Sequence, residues 1–330
     1  MANLSSARLK AQSAAYLQQE GPRLTKLVLI YTGLSVVLSL AVNGLNLFLN
    51  QQISTTGGLG GLGMRSVLQT VQTLLSYFNT LYVPFWYAGF LFVTIRAARN
   101  QSPEPRDLLQ GFRHFGSILS FFLWELLITM GIGFVLVYPS SFLFLTTPSG
   151  QEFTEILLPF LESGELLLAD GTINMEALPM DALGSTMLPM FLIYGILAGS
   201  AIVFVSYLLR MGVFLLVEGP YRSAFATMLV SGKMMKGHKR QMLKLDLSFW
   251  WYYAAEAVLV VILYLDVILP FLGVQLPVSQ TAAYFLVLVV YGVLELALHA
   301  WKKPYVDLTY AMAYDEIYQE FAAEHLKQPE

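Results

Sequence analysis

The run KLVLIYTGLSVVLSLAVNGLNLFL, residues 26–49, carries one charged side chain, and that one stands at its edge. A hydrocarbon core about 30 Å thick is crossed by roughly 20 apolar residues in a helix, so the run is long enough to span it. Five further runs share its character, at residues 67–95, 118–145, 187–217, 247–273 and 281–301. With 56% hydrophobic and only 12% charged residues over 330 positions, the composition lies outside the range usual for soluble domains. The expected fold is therefore all-α, a polytopic integral membrane bundle of six transmembrane helices. Runs longer than one crossing are read as tilted, extended or kinked at Pro84, Pro139 or Pro270.

The net charge of -3 says little, but its distribution says more. Of 19 Lys and Arg, 18 fall in the amino-terminal tail, the second and fourth connections, the adjoining helix ends and the carboxyl-terminal tail; Arg65 alone falls on the other side. The positive-inside rule then makes both termini cytoplasmic. The first run follows a polar segment and lacks a small-residue cleavage motif, which argues against a removable signal peptide. The absence of cysteine excludes disulfides and thiolate metal sites.

These boundaries divide the chain into three parts. Residues 1–25 read as a cytoplasmic amphipathic helix broken at Gly21-Pro22, and residues 26–300 as the six-span membrane domain. Residues 301–330 read as an acidic amphipathic helix opened by Pro304 in its first turn. In that last helix Tyr310, Tyr314, Ile317 and Phe321 recur at helical spacing among Asp307, Asp315, Glu316, Glu320 and Glu324. Anionic lipid repels such a helix, so it is expected to dock on protein.

Within the membrane domain, residues 147–183 form an acidic outer segment without Lys or Arg, expected as short interfacial helices. Its DGTINME stretch alternates oxygen-bearing side chains but lacks the ligand order of a calcium loop. The glycine-rich TTGGLGGLGMR lacks the lysine and preceding strand of a phosphate loop and reads as a flexible outer loop. Residues 219–246 form the basic inner segment. There Arg222, Lys233, Lys236, Lys239, Arg240 and Lys244 surround an apolar stripe of Phe225, Met228, Leu229 and Met235, with a break at Gly237 and an aromatic belt from Trp250 to Tyr253. The six cations suit either anionic lipid headgroups or the acidic tail. Leu119-Ser120-Phe121 echoes Leu247-Ser248-Phe249, each after a basic stretch. The echo is compatible with a parallel repeat of a helical hairpin, or with shared interfacial composition.

Ionisable groups inside a span cost about 2.5–3.5 kcal/mol on insertion scales, so they need a partner or a job. Glu125, Glu256, Asp266 and Glu295 are such groups, with Arg96, Arg210 and His299 nearer the inner ends; Glu295 and His299 share a helix face at i, i+4. One reading gathers the carboxylates in a polar cavity that binds a cation or relays protons. The other has them pair with arginines and hydroxyl donors to hold helices together. The sequence contains no HExxH, no GxSxG and no clustered metal ligands, and its four histidines are scattered. Glu295 with His299 is the one acid–base pair that intramembrane catalysis could use.

Three stretches, ARLKAQSAAYL, LVSGKMMKGHKRQMLKLDLSFWWYY and KKPYVDLTYAMAYDEIYQ, together resemble the bacterial membrane protein family known as domain of unknown function 975. The family is itself distantly similar to the membrane portion of some glycerophosphodiester phosphodiesterases. The resemblance implies a six-helix protein of the bacterial plasma membrane without an established activity, and it carries no functional residues over. The expected function is that of a non-enzymatic membrane protein recognising anionic lipid or a protein partner at its inner surface. The alternative is a transporter of a lipid or small solute through the carboxylate-lined cavity. Expected partners are membrane lipids, another membrane protein or a second copy of the chain. Nothing in the pattern points to nucleic acid, a cofactor or a metal.

Overall fold

The computed structural model describes residues 5–55, 62–163, 180–219, 223–265 and 280–325. Its helices are α1 (Ser6–Thr55), α2 (Leu62–Ala98), α3 (Gln110–Arg113), α4 (Phe115–Leu145), α5 (Pro148–Ser163) and α6 (Met180–Leu209). They continue as α7 (Gly212–Glu218), α8 (Ala224–Met234), α9 (Lys239–Leu247), α10 (Trp250–Leu263) and α11 (Gln280–His325), and a 3-10 turn (Pro105–Leu109) precedes α3. No strand occurs among the described residues. Among the described residues five stretches are long and apolar enough to cross a membrane: Arg23–Ile53, Met64–Ala98, Phe115–Leu145, Thr186–Glu218 and Ala282–Glu324. A sixth is added if α9 and α10, bent by 67° at Ser248-Phe249, count as one span. Pro84 and Pro139 lie inside continuous helices. Pro270 and Asp266 lie outside the described residues, as do the DGTINME stretch and most of the glycine-rich loop.

The chain forms two compact units, Met1–Phe121 with Arg210–Glu330, and Phe122–Leu209. In the first, α1 and α11 pack along one another, and their paired residues run in opposite order. Arg8 meets Glu316, Ser13 meets Thr309, Thr32 meets His299, and Asn43 meets Tyr284, so the helices are antiparallel. Helix α2 lies against both. Tyr16, Leu24, Leu27 and Val28 of α1, Phe90, Val93 and Ala97 of α2, Leu108 of the 3-10 turn and Leu308 of α11 form the buried core between them. In the second unit α5 packs on α6, and the Phe144 and Phe153 rings meet edge to face. Glu152, Glu155 and Glu162 on α5 are exposed, and residues 164–179 of the acidic outer segment are outside the described residues.

Two expected boundaries are absent. Helix α1 runs unbroken through Gly21-Pro22, and α11 runs unbroken through Pro304, so neither terminal helix is separate from its neighbouring span. A proline inside a helix forfeits one backbone hydrogen bond and costs about 3 kcal/mol. Here each helix is the template for the other. Both prolines fall between the Ser13–Thr309 and Thr32–His299 contacts, and Leu9, Leu24, Leu308 and Tyr314 are each no more than 1% exposed on either side of that level. Burial of that length of apolar face offsets the lost bonds.

The expected break at Gly237 is present: its φ of 92° closes the turn between α8 and α9. The stripe on α8 divides, however, since Met228 and Met235 are buried while Phe225 and Leu229 are exposed. The aromatic belt divides likewise, Trp250 pointing outward and Tyr252 lying buried. Phe121 and Phe249, the matching residues of the internal echo, are both fully buried. Their surroundings differ, because only the second is entered through a sharp bend.

Candidate polar site

Basic and acidic side chains of the first unit gather where the amino end of α1 lies beside the carboxyl end of α11. The chain leaves α2 through Asn100, whose φ of 56° ends the helix in the left-handed region, and Gln101 N–H closes the turn on Arg96 O at 2.8 Å. Arg99 is thereby placed to bind Glu218 at 2.5 Å and Asp315 at 2.7 Å. The Tyr314 hydroxyl donates to the other oxygen of Glu218 at 2.5 Å. Arg96 binds Asp107 at 2.6 Å, and the Asp107 carboxylate also caps Glu104 N–H at 2.7 Å. Lys10 reaches across to Ser248 O at 2.8 Å and lies 4.1 Å from the Phe249 ring, covering the bend before α10; partial burial holds its amine below the usual lysine range.

Arg210, in the break between α6 and α7, makes a two-pronged contact with Asp246 at 2.6 and 2.8 Å. Tyr310 donates to the same carboxylate at 2.6 Å, and its ring lies 4.6 Å from the guanidinium. Planar guanidinium and carboxylate match in such a pair, which fixes α9 to the chain below it. The arginines singled out from the sequence are thus engaged by Asp107 and Asp246, not by the intramembrane glutamates.

The glutamates meet histidine instead. His299 Nε2 stands 2.9 Å from Glu256 across the α10–α11 contact, its Nδ1 stands 3.0 Å from Thr32 Oγ1 on α1, and Glu295 lies 4.0 Å from the same ring nitrogen. One turn further along α11, Lys303 lies 3.3 Å from Asp307. Glu256, Glu295 and His299 therefore lie together, while Glu125 belongs to the second unit and joins no described ion pair. Thr32 and Lys303 were not singled out from the sequence, and Asp307, Tyr310, Tyr252 and Tyr253 were named there only for the acidic helix and the aromatic belt. Tyr310 at i+3 from Asp307 and Lys303 at i+4 from His299 were the available signals, and each is common in helices that do nothing more than pack.

Two cavities flank this cluster. One of about 310 Å³ is lined by Arg210, Tyr252, Tyr253, Glu256, Lys303 and Asp307 among others. The second, about 420 Å³, has Ser35, Ser39 and Asn43 on α1 and Tyr284, Tyr291 and Glu295 on α11 among its walls. His299 stands between them, touching Glu256 of the first and facing Glu295 of the second. No group of three His, Asp or Glu side chains among the described residues is placed to hold a metal ion.

The basic segment and the acidic tail meet less than charge alone suggests. His238 stands 3.6 Å from Glu320, beside a cleft of about 70 Å³ that Lys233 and Lys236 also line. Elsewhere on α11, Glu316, Asp315 and Asp307 pair with Arg8, Arg99 and Lys303. Lys233, Lys236, Arg240 and Lys244 are exposed and join no described ion pair, and Lys239 is half-buried. Arg222 lies outside the described residues.

An all-α chain whose long apolar helices have the dimensions of membrane spans, with charged residues collected at one end of the first unit, defines a class: polytopic membrane proteins. More particularly, a family model described as protein of unknown function (DUF975) matches residues 1–320, and the chain belongs to that family. No curated protein and no solved structure matches it, and the likeness to glycerophosphodiester phosphodiesterases finds no support in these comparisons.

Proposed function

We propose that the protein is a non-enzymatic, multi-pass protein of the bacterial plasma membrane, six-spanning with both termini in the cytoplasm, that recognises anionic lipid headgroups through its basic inner segment. The observation that carries this reading is the exposure of Lys233, Lys236, Arg240 and Lys244 without a described ion-pair partner, while Glu316 and Asp315 of the tail are engaged by Arg8 and Arg99. A cation near an anionic leaflet contributes about 1 kcal/mol, and the attraction fades within a Debye length of about 8 Å at physiological salt. Phe225 and Leu229, exposed on the neighbouring α8, supply apolar anchors beside the charges. The orientation follows from the same residues, since the end that collects them is cytoplasmic by the positive-inside rule.

The test is the melting temperature of the purified full-length protein in a maltoside detergent with added phosphatidylglycerol or phosphatidylcholine. Phosphatidylglycerol should raise it more. High salt, or replacing Lys233, Lys236, Arg240 and Lys244 together by Gln, should remove the difference. Equal response to both lipids, unaffected by salt, would sink the lipid reading.

A second reading, passage of a solute through the first unit, is supported by the two cavities that meet at Glu256, His299 and Glu295. Proteoliposomes loaded in turn with choline, glycerol and inorganic phosphate should then release at least one of them, and Glu256→Gln should strongly slow that release. No release of any of the three, or release indifferent to the substitution, counts against it.

A further inference from the structure

We propose that the larger cavity of the first unit binds an organic monocation with Glu295 as its counter-ion. The inference rests on the second reading above, that this cavity admits a solute, and names the class of that solute. Its volume of about 420 Å³ lies within the usual range of small-molecule sites, roughly 300–1,000 Å³. Tyr82, Tyr264, Tyr284 and Tyr291 line it with the Glu295 carboxylate, and no Lys, Arg or His is among its described lining residues. Ser35, Ser39 and Asn43, spaced one turn apart on α1, add hydroxyl and amide oxygens; Tyr284 donates to Asn43 Oδ1 at 3.1 Å. These residues sit near the middle of the apolar stretch Arg23–Ile53.

The charge balance sets the sign of the ligand. The nearest lysine on α11, Lys303, lies 3.3 Å from Asp307. His299 is held by Glu256 at 2.9 Å and Thr32 at 3.0 Å. Both ring nitrogens are thereby occupied, Nε2 by Glu256 and Nδ1 by Thr32. At 4.0 Å the ring is too far from Glu295 to hydrogen-bond it. Tyr291 lines the cavity beside that carboxylate, but it brings no charge.

A carboxylate at this depth is costly until a positive group joins it. Tyrosine rings such as these attract an ammonium wherever it reaches their faces. They do not favour a metal ion, which needs several more oxygen or nitrogen ligands. An anion would meet the carboxylate, and a neutral alcohol would gain from neither the charge nor the rings.

Isothermal titration of the full chain in maltoside with choline, against 3,3-dimethyl-1-butanol of the same shape without the charge, tests this directly. Choline should bind saturably and at least about tenfold more tightly than the alcohol, the order of advantage that ring faces and a buried counter-charge provide. Glu295→Gln should abolish that preference, and Ser39→Leu, which narrows the cavity and leaves the carboxylate in place, should weaken both ligands; melting temperatures report whether each variant is folded. Equal affinity for the two probes, no binding of choline, or choline binding indifferent to both substitutions would overturn the proposal. Absence of choline binding together with glycerol or phosphate release sensitive to Glu256→Gln would overturn it while leaving the solute-passage reading intact.

Discussion

Gly89→Ala is expected to prevent the first unit from closing. A Cβ at Gly89 would lie 1.8 Å from the carbonyl oxygen of Leu108, and one at Gly111 would lie 2.0 Å from that of Phe85. Both obstacles are backbone, so no side-chain rotation relieves them. The two glycines let α2 and the Pro105–Arg113 segment touch main chain to main chain, in the way small residues bring membrane helices together. Under that contact lie Leu108, Phe90 and Val93, each no more than 1% exposed. Forcing the segments apart by even an ångström removes their packing as well as adding strain. Overpacking usually costs 1–3 kcal/mol and more where the backbone cannot move, so a loss of about 3 kcal/mol or more is expected. For a protein of this size that is a fall of about 5 °C in melting temperature, or failure to give a single species on size exclusion. Gly116→Ala and Gly131→Ala are the controls, because a Cβ at either meets nothing within 4 Å. They should leave the melting temperature unchanged. If Gly89→Ala matched them, the close approach of α2 to this turn would be wrong.

What the sequence made legible was governed by composition and by local periodicity. Apolar runs of span length depend on transfer of side chains out of water, which each residue contributes independently, and the structure places helices over the runs that fall in described residues. The break at Gly237 was legible because a single residue with positive φ decides it. The breaks at Gly21-Pro22 and Pro304 were misread for the complementary reason: local propensity opposes a continuous helix there, and only a partner 46 residues long on the far side of the sequence overrides it.

The site divides along the same line. Glu295 with His299 was visible as an i, i+4 pair, and depth within a span drew attention to Glu256. That His299 should join Glu256 to Thr32 depends on three helices distant in sequence, which no spacing encodes. The arginine partners were open for the same reason. Arg210 had Asp246, 36 positions on, and Arg99 had Glu218 and Asp315, more than a hundred positions on, as candidates among many acids. Charge counting left open whether the basic segment meets lipid headgroups or the acidic tail. Packing lays α11 along α1 and carries Glu316 and Asp315 to Arg8 and Arg99, while Glu320 meets His238.

That division between packing and charge predicts how the carboxyl-terminal half of α11 is held. Tyr314 is fully buried, its ring stacked on Phe214 with centroids 4.7 Å apart and planes at 14°, and its hydroxyl bonded to Glu218. Tyr314→Ala should cost about 3–5 kcal/mol, the range for removing a large buried ring whose space the neighbours cannot refill. Tyr314→Phe keeps the stack and loses only the hydroxyl. Glu218 retains Arg99, so no charge is left unpartnered, and the cost should be about 1 kcal/mol. Asp315→Asn removes one arm of Arg99, in a pair where 33% of the arginine and 17% of the aspartate side chain is exposed. Solvent screens such a pair to about 1 kcal/mol or less. Thermal unfolding in maltoside should therefore rank Tyr314→Ala far below the other two. Removal of residues 304–330 should be worse than any of them, because it also takes away the buried Leu308, Ala311 and Ile317. If Asp315→Asn proved as damaging as Tyr314→Ala, or if the truncated chain melted like the full one, the tail would be held by its charges or not held at all. With packing as the anchor, raising the salt concentration should shift the full-length melting temperature little, since apolar burial is not screened and the ion pairs around it contribute the smaller part.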